Sequence, residues 1–242
     1  MGGQHRIPGP ESGQGASRGP IGTNRLNMIQ KETPYGHFEI TSAGQLVFSQ
    51  RWRYEFETDD KPWTEDEKTF VRRLAPLQVT ASWSGRISLT ITEVARNKNN
   101  VAGEYRNKTL RKTIWRVVIS EDKSPHWRIV MKKLAEGEKL SSPGGHSGAY
   151  VMYLGRKVYV DFRAFQTNTS DKSNPQGLMA HEFGHMLALG NSDEYVTLSP
   201  NKTDYDSILH YGSEPRARHL AWVLEQYNSM VNNVVFSFHD FQ

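Results

Sequence analysis

Apolar and polar residues alternate along HFEI (37–40) and QLVFSQRWRYEFET (45–58), the period of a half-buried strand, with Trp52, Tyr54 and Phe56 on one face. The period then changes. In PWTEDEKTFVRRLAPLQVTASW (62–83), Phe70, Val71, Leu74 and Leu77 recur at helical spacing, Thr64 and Glu67 form a capping box, and Pro76 predicts a kink or an early end. Alternation returns in RISLTITEVA (86–95), and after the polar stretch NKNNVAGEYRNK (97–108) it resumes in KTIWRVVISE (112–121) and HWRIVMKKL (126–134). The last two predict a hairpin turning at DKSP. Beyond the polar SSPGGHSGAY (141–150), the segment YVMYLGRKVYVDFRAF (150–165) reads as two short strands meeting at Gly155. Asn174 and Pro175 supply the cap and first-turn proline of a helix through GLMAHEFGHMLALG (177–190), in which Leu178, Met179, Phe183, Met186, Leu187 and Leu189 supply the burial. A second long helix is expected from near Pro215, with Leu220, Val223, Leu224 and Tyr227 on one side, and VVFSFHDF (234–241) reads as a final strand. Runs of strands interrupted by separate helices define an α+β fold.

Composition narrows the classes. Residues 1–33 are rich in Gly, Pro, Ser and Gln with almost no large apolar residue, which predicts a disordered linker or processed leader before a single domain over 34–242. The chain of 242 residues is 36% hydrophobic, with a mean hydropathy of −0.66 and no apolar stretch near the ~20 residues that span a bilayer. No membrane span is expected. The net charge of +4 and pI near 9.2 reflect a small excess of Lys and Arg, too little to predict a nucleic-acid partner. Cysteine is absent, so neither a disulfide framework nor a thiolate ligand is available. The first 22 residues lack the apolar stretch of a secretory signal, which points to a cytoplasmic protein, an excised fragment or export without a cleavable signal. Oligomeric state is not set by these features.

The chemistry concentrates in His181, Glu182 and His185, an HExxH string. On a helix, positions i and i+4 lie one turn apart on one face, so two imidazoles can meet one zinc ion, with the glutamate placed to take a proton from zinc-bound water. A catalytic zinc site needs a third protein ligand. Gly190, just past the helical run, can end the helix and turn the chain back.

HEFGHMLALGNSDEY followed by DYDSILHYG resembles a metzincin-type zinc peptidase, and SILHYG (207–212) is similar to the turn of astacin-like members. HEFGHML with DEY and a later RARH further resembles metallopeptidase domains of bacterial polymorphic toxins. The resemblance implies a zincin/metzincin-like α+β fold: a twisted mixed sheet with an active-site helix, a first helix and a C-terminal helix. It implies a zinc-dependent endopeptidase with Zn2+ on His181, His185 and Asp193, Glu182 as general base, and Tyr211 stabilising the oxyanion. A strand within 150–162 would be the edge along which a protein or peptide substrate adds, and an inhibitor or immunity protein is the other implied partner. Export by a signal-independent route and delivery to a target cell go with that likeness. The pattern departs from the family at Ala188, where a glycine is usual, at Asn191, in the strict third-ligand position, and at Leu209, where the turn carries methionine. Asp193 restores the interval from Gly190, while Glu194, His210 and His219 stay open as ligands. Two other functions stay open as well: a non-catalytic zincin-fold binding module, and a zinc hydrolase acting on a non-peptide substrate.

Overall fold

The computed structural model describes residues 28–59, 61–96, 105–142, 145–146, 148–170, 177–188, 194, 199–231 and 234–241. Eleven strands are present among them: β1 (Ile29–Thr33), β2 (Gly36–Ile40), β3 (Leu46–Thr58), β4 (Ile87–Arg96), β5 (Tyr105–Glu121), β6 (Trp127–Lys133), β7 (Ser141–Ser142), β8 (Gly145–His146), β9 (Ala149–Met152), β10 (Lys157–Asp161) and β11 (Val234–Phe241). The helices are α1 (Glu65–Trp83), α2 (Phe162–Ser170), α3 (Leu178–Ala188) and α4 (Ala221–Met230), with a 3₁₀ turn at Ala217–Leu220. The mixed α+β class is therefore as expected. Nine strands form one mixed sheet in the order β11-β4-β5-β3-β6-β10-β9, with β2 joining beside β3 and β1 beside β2; β7 and β8 pair separately.

Alternation explains which face is buried. Leu46, Phe48, Trp52 and Tyr54 of β3 point to one side with Trp115 and Val117 of β5, Trp127 and Ile129 of β6, and Val158 and Val160 of β10. The helices pack on that side. Trp83 of α1 meets Phe183 of α3 edge to face at 5.6 Å and Trp115 at 6.4 Å, while Tyr227 of α4 meets Phe38 at 5.1 Å. At roughly 1.5–3 kcal/mol per fully buried large side chain, this aromatic layer is the main reason the sheet and helices stay together.

α1 starts as its sequence dictates. Thr64 N donates to Glu67 Oε2 at 2.8 Å, Glu67 N donates to Thr64 Oγ1 at 3.3 Å, and Lys133 Nζ clamps the same carboxylate at 2.8 Å. Thr64→Ala removes the oxygen that satisfies the Glu67 amide and is expected to cost about 1 kcal/mol, read as a fall of about 2–4 °C in Tm. An unchanged Tm would show the cap to be redundant with Lys133. The helix does not end at Pro76, because Val71, Ala75, Val79 and Trp83 form a continuous buried stripe across it. Thr80 Oγ1 donates to the Pro76 carbonyl at 3.0 Å. Leu77, expected on the buried face, is instead 55% exposed, since it lies two positions from Ala75 and Val79 of the stripe and so on the opposite side of the helix.

Other expectations need correction. β5 and β6 do not form a hairpin. Both run parallel to β3 on its opposite sides, with Leu46–Trp52 against Trp115–Glu121 and Trp52–Thr58 against Trp127–Lys133. The link between them crosses β3 where Asp122 N donates to Trp52 O at 2.9 Å and His126 N donates to Arg51 O at 2.8 Å. α2 was not foreseen; it forms because Phe162 and Phe165 are buried against Trp63 and Phe70. The helix expected from Pro215 divides into the 3₁₀ turn and α4, with Leu220, Val223 and Tyr227 buried as expected and Leu224 half-buried. β1 falls within the stretch read as a leader, pairing antiparallel with β2. Gly155 turns β9 into β10 with φ 85°, followed by Arg156 at φ 51°. β9 closes one end of the sheet. Among the described residues no helix is long and apolar enough to cross a membrane.

Candidate functional site

α3 carries His181, Glu182 and His185 as the sequence predicts, and all three turn away from bulk water: His181 is 9% exposed, Glu182 3%, and His185 half-buried. Its buried side is fixed by the core. Met179, Ala180, Phe183, Met186 and Leu187 are fully buried, and Gly184 lies so close to its neighbours that an added Cβ would sit 2.7 Å from Leu209 Cδ2 and 3.2 Å from Trp83 Cζ2. The Trp83 indole donates to Ala180 O at 2.9 Å, and the Tyr153 hydroxyl donates to His185 O at 2.7 Å. The helix is thus held from both sides.

The two imidazoles meet. His181 Nε2 and His185 Nε2 are 3.1 Å apart, with ring centroids at 4.8 Å and planes inclined by 74°. His181 Nδ1 is 2.8 Å from Ile208 O. A carbonyl only accepts, so that nitrogen carries the hydrogen, and in the neutral ring Nε2 is then the acceptor. The bond of 3.1 Å therefore requires the hydrogen on His185 Nε2. A backbone carbonyl fixes one tautomer, and that tautomer fixes the next.

Ile208 is held by a tight turn. Ser207 O accepts from His210 N at 2.9 Å and Gly212 N at 3.1 Å, while Ile208 N donates to Glu214 O at 2.9 Å. Leu209, where the expected turn methionine is replaced, is fully buried beneath Gly184 of α3. Tyr211 is 62% exposed, its ring edge-on to His210 at 4.5 Å.

The residues left open as a third ligand have other employment. Glu194 is 4% exposed; its two oxygens take hydrogen bonds of 2.6 Å from Nε and Nη2 of Arg218, and Oε1 is 3.1 Å from His219 Nε2. Burial pushes its carboxyl up, but hydrogen bonds from Arg218, Ser207 and His219 outweigh it and hold it at about 2. His219 is fully buried and accepts from Arg216 N at 3.0 Å through Nδ1, which leaves the hydrogen on Nε2 facing Glu194. Burial, opposed by Glu194, brings its pKa down to about 4, so the His219–Glu194 contact is a neutral imidazole donating to a carboxylate. Asp204 joins both arginines: its oxygens accept from Arg216 at 2.7 and 2.9 Å and from Arg218 at 2.6 Å, which holds its carboxyl well below the usual range. His210 is buried with Nε2 3.0 Å from Lys202 O. Asp193, Asn191 and Gly190 lie outside the described residues.

These placements correct the central expectation. Among the described residues no group of three or more His, Cys, Asp or Glu side chains is placed to hold a metal ion. The Zn2+ centre, the metzincin-like identity and the zinc endopeptidase activity drawn from HExxH and SILHYG are overturned on that finding. So are the non-peptide zinc hydrolase and the zincin-fold binding module. The protein or peptide substrate and the inhibitor or immunity protein rested on that activity and fall with it. Helical spacing brings the two histidines together, whereas the third ligand rested on Asp193, outside the described residues. The Ile208 carbonyl and the Tyr153 hydroxyl, which position the histidines, were not foreseen; a backbone oxygen leaves no mark in sequence. No protein family, curated protein or solved structure matches this chain.

Proposed function

We propose that α3 carries an acid–base site in which His181 and His185 hold one shared hydrogen and Glu182 supplies a neighbouring carboxyl, so that the chain works by moving a proton to or from a bound ligand. The observation that supports this reading most is the Nε2–Nε2 separation of 3.1 Å with its orienting carbonyl at 2.8 Å. A base held in register by a third group is the arrangement that proton-transfer sites share. Glu182 is the next residue on the same helix and is buried. Tyr211, three residues beyond Ile208 on the same turn, is exposed and belongs to the proposal as the hydroxyl that would meet the ligand.

Nitrogen-15 NMR of the histidine side chains tests the arrangement. A scalar coupling across the N–H···N bond is expected between the two rings, with His181 protonated at Nδ1 and His185 at Nε2. Pyridine-type signals from both Nε2 atoms, without coupling, would overturn it. Hydrolysis of p-nitrophenyl acetate gives the functional readout. His185→Asn and Glu182→Gln are each expected to lower it about 100-fold, within the range for general acid–base groups, and Tyr211→Phe less. Rates in all three equal to wild type would reject the site.

A further inference from the structure

The Ile208 carbonyl that fixes the hydrogen on His181 is one end of a planar group whose other end is also engaged. Carbonyl and amide of a trans peptide point in opposite directions, so Ile208 O faces His181 Nδ1 at 2.8 Å while the Leu209 amide faces away from it. That amide donates to Ser207 Oγ at 3.3 Å. The Ser207 hydroxyl hydrogen then has two directions to choose between. His219 Nε2 is 3.5 Å away, but it carries a hydrogen itself and cannot accept. The Glu194 carboxylate can only accept, and the hydroxyl donates to it. Glu194 also donates its own amide to Leu209 O at 2.8 Å, so its main chain and its side chain both grip the turn that carries the carbonyl. Ser207, Ile208 and Leu209 are fully buried and Glu194 nearly so, which shields these bonds from bulk water. Every donor in the series points the same way: His185 to His181, His181 to Ile208, Leu209 to Ser207, and Ser207 to Glu194.

We propose that Glu194 is a positioning residue for the His181–His185 pair, acting through Ser207 and the Ile208–Leu209 peptide group, and that its negative charge holds His181 in the tautomer that leaves Nε2 as acceptor. The inference rests on the reading of α3 as an acid–base site and adds the group that controls it. Hydrogen bonds that run in one direction through a low-dielectric interior strengthen one another. The carboxylate draws the Ser207 hydrogen, and the oxygen so enriched draws the Leu209 hydrogen. The peptide group passes this polarisation to Ile208 O, which becomes a better acceptor for the hydrogen on His181 Nδ1. Arg218, bound to both carboxylate oxygens at 2.6 Å, fixes the plane of Glu194 and keeps it ionised. The ion cluster of Arg216, Arg218 and Asp204 is thereby joined to the histidines through a single carboxylate.

Nitrogen-15 NMR of the histidine side chains and p-nitrophenyl acetate hydrolysis, applied to the full chain and its variants, test the link. S207A leaves Glu194, Arg218 and His219 in place and removes only the connection. The share of His181 protonated at Nδ1 is expected to fall from nearly all to about half, with kcat down about tenfold and KM unchanged. E194Q is expected to act in the same direction to a lesser degree, because a carboxamide oxygen still accepts from Ser207 but carries no charge. D204N is the comparison: it weakens the ion pairs of Arg216 and Arg218, so Tm falls, while the His181 tautomer and kcat stay as in wild type. An unchanged tautomer in S207A, a change in S207A with none in E194Q, or an equal change in D204N would overturn the proposal. Should E194Q not fold, the contrast of S207A with D204N decides. Altered tautomers in a protein whose wild type hydrolyses nothing would keep this link and reject the acid–base reading, so the two fail separately.

Discussion

Gly212→Ala is expected to lower stability by about 3 kcal/mol or more and to break the hydrogen bond that orients His181. A Cβ built on Gly212 would sit 2.0 Å from Asp206 O and 2.4 Å from Asp206 Cα. These are backbone atoms, so no rotamer change makes room; residues 206–212 must separate. That separation acts on Gly212 N→Ser207 O and Glu214 N→Asp206 O, the bonds that close the turn, and displaces the Ile208 carbonyl carried between them. Differential scanning calorimetry should show Tm falling by roughly 6–12 °C, and the His181 Nδ1 proton signal should move or vanish. Gly184→Ala is the comparison: its Cβ meets the end of the Leu209 side chain, which can shift, so about 1–2 kcal/mol is expected. Equal, small losses in both variants would mean that the turn does not hold the carbonyl rigidly.

Acid should undo the fold in two stages, read from urea unfolding between pH 7 and pH 2. His219 is held down to about 4 against an ordinary 6.5, so the unfolded chain takes up its proton first; the contribution is complete above pH 6.5 and is lost as pH falls towards 4. Glu194 is held at about 2 against 4.5, and its contribution is lost between pH 4.5 and 2. Each window is worth on the order of 3 kcal/mol. In His219→Gln the upper decline should shrink to what His126, likewise held below its ordinary value by burial, contributes, and the lower one should remain. A wild-type stability that stays level from pH 7 to 4 would contradict the neutral, buried imidazole.

What could be read in advance was whatever is local. The Thr64–Glu67 capping box needs only four consecutive residues, and strand alternation in 46–58 or 157–161 needs only its own segment. Neighbour choice is different: β5 and β6 look like the arms of a hairpin because a short polar link joins them, but nothing within them records that Trp52, over 60 residues from either strand's centre, lies between. The candidate site divides in the same way. His181 and His185 meet because one helical turn brings them together, whereas Ile208 reaches His181 across 27 residues through a main-chain atom that any residue could supply. Glu194 and His219 have the residue types of metal ligands, and the sequence could not reveal that Arg218 and Arg216 would engage them first. Leu77 was misplaced by a helical period applied without knowing which neighbouring positions, Ala75 and Val79, the core would select.

The passage of the chain across β3 at Arg51 and Trp52 has a kinetic side. The central strand makes parallel ladders with segments that begin many tens of residues later, and parallel neighbours are joined only by closing long loops before any ladder bond repays the lost freedom. The first half of β3 therefore waits, apart from its short antiparallel contact with β2, until the chain through residue 121 is available, and its second half until residue 133. During synthesis on a ribosome this leaves Trp52, Tyr54 and Phe56 without their β6 cover through the interval in which residues 59–126 emerge. That order of emergence leaves the aromatic half of β3 open to mispairing with another copy before folding is complete.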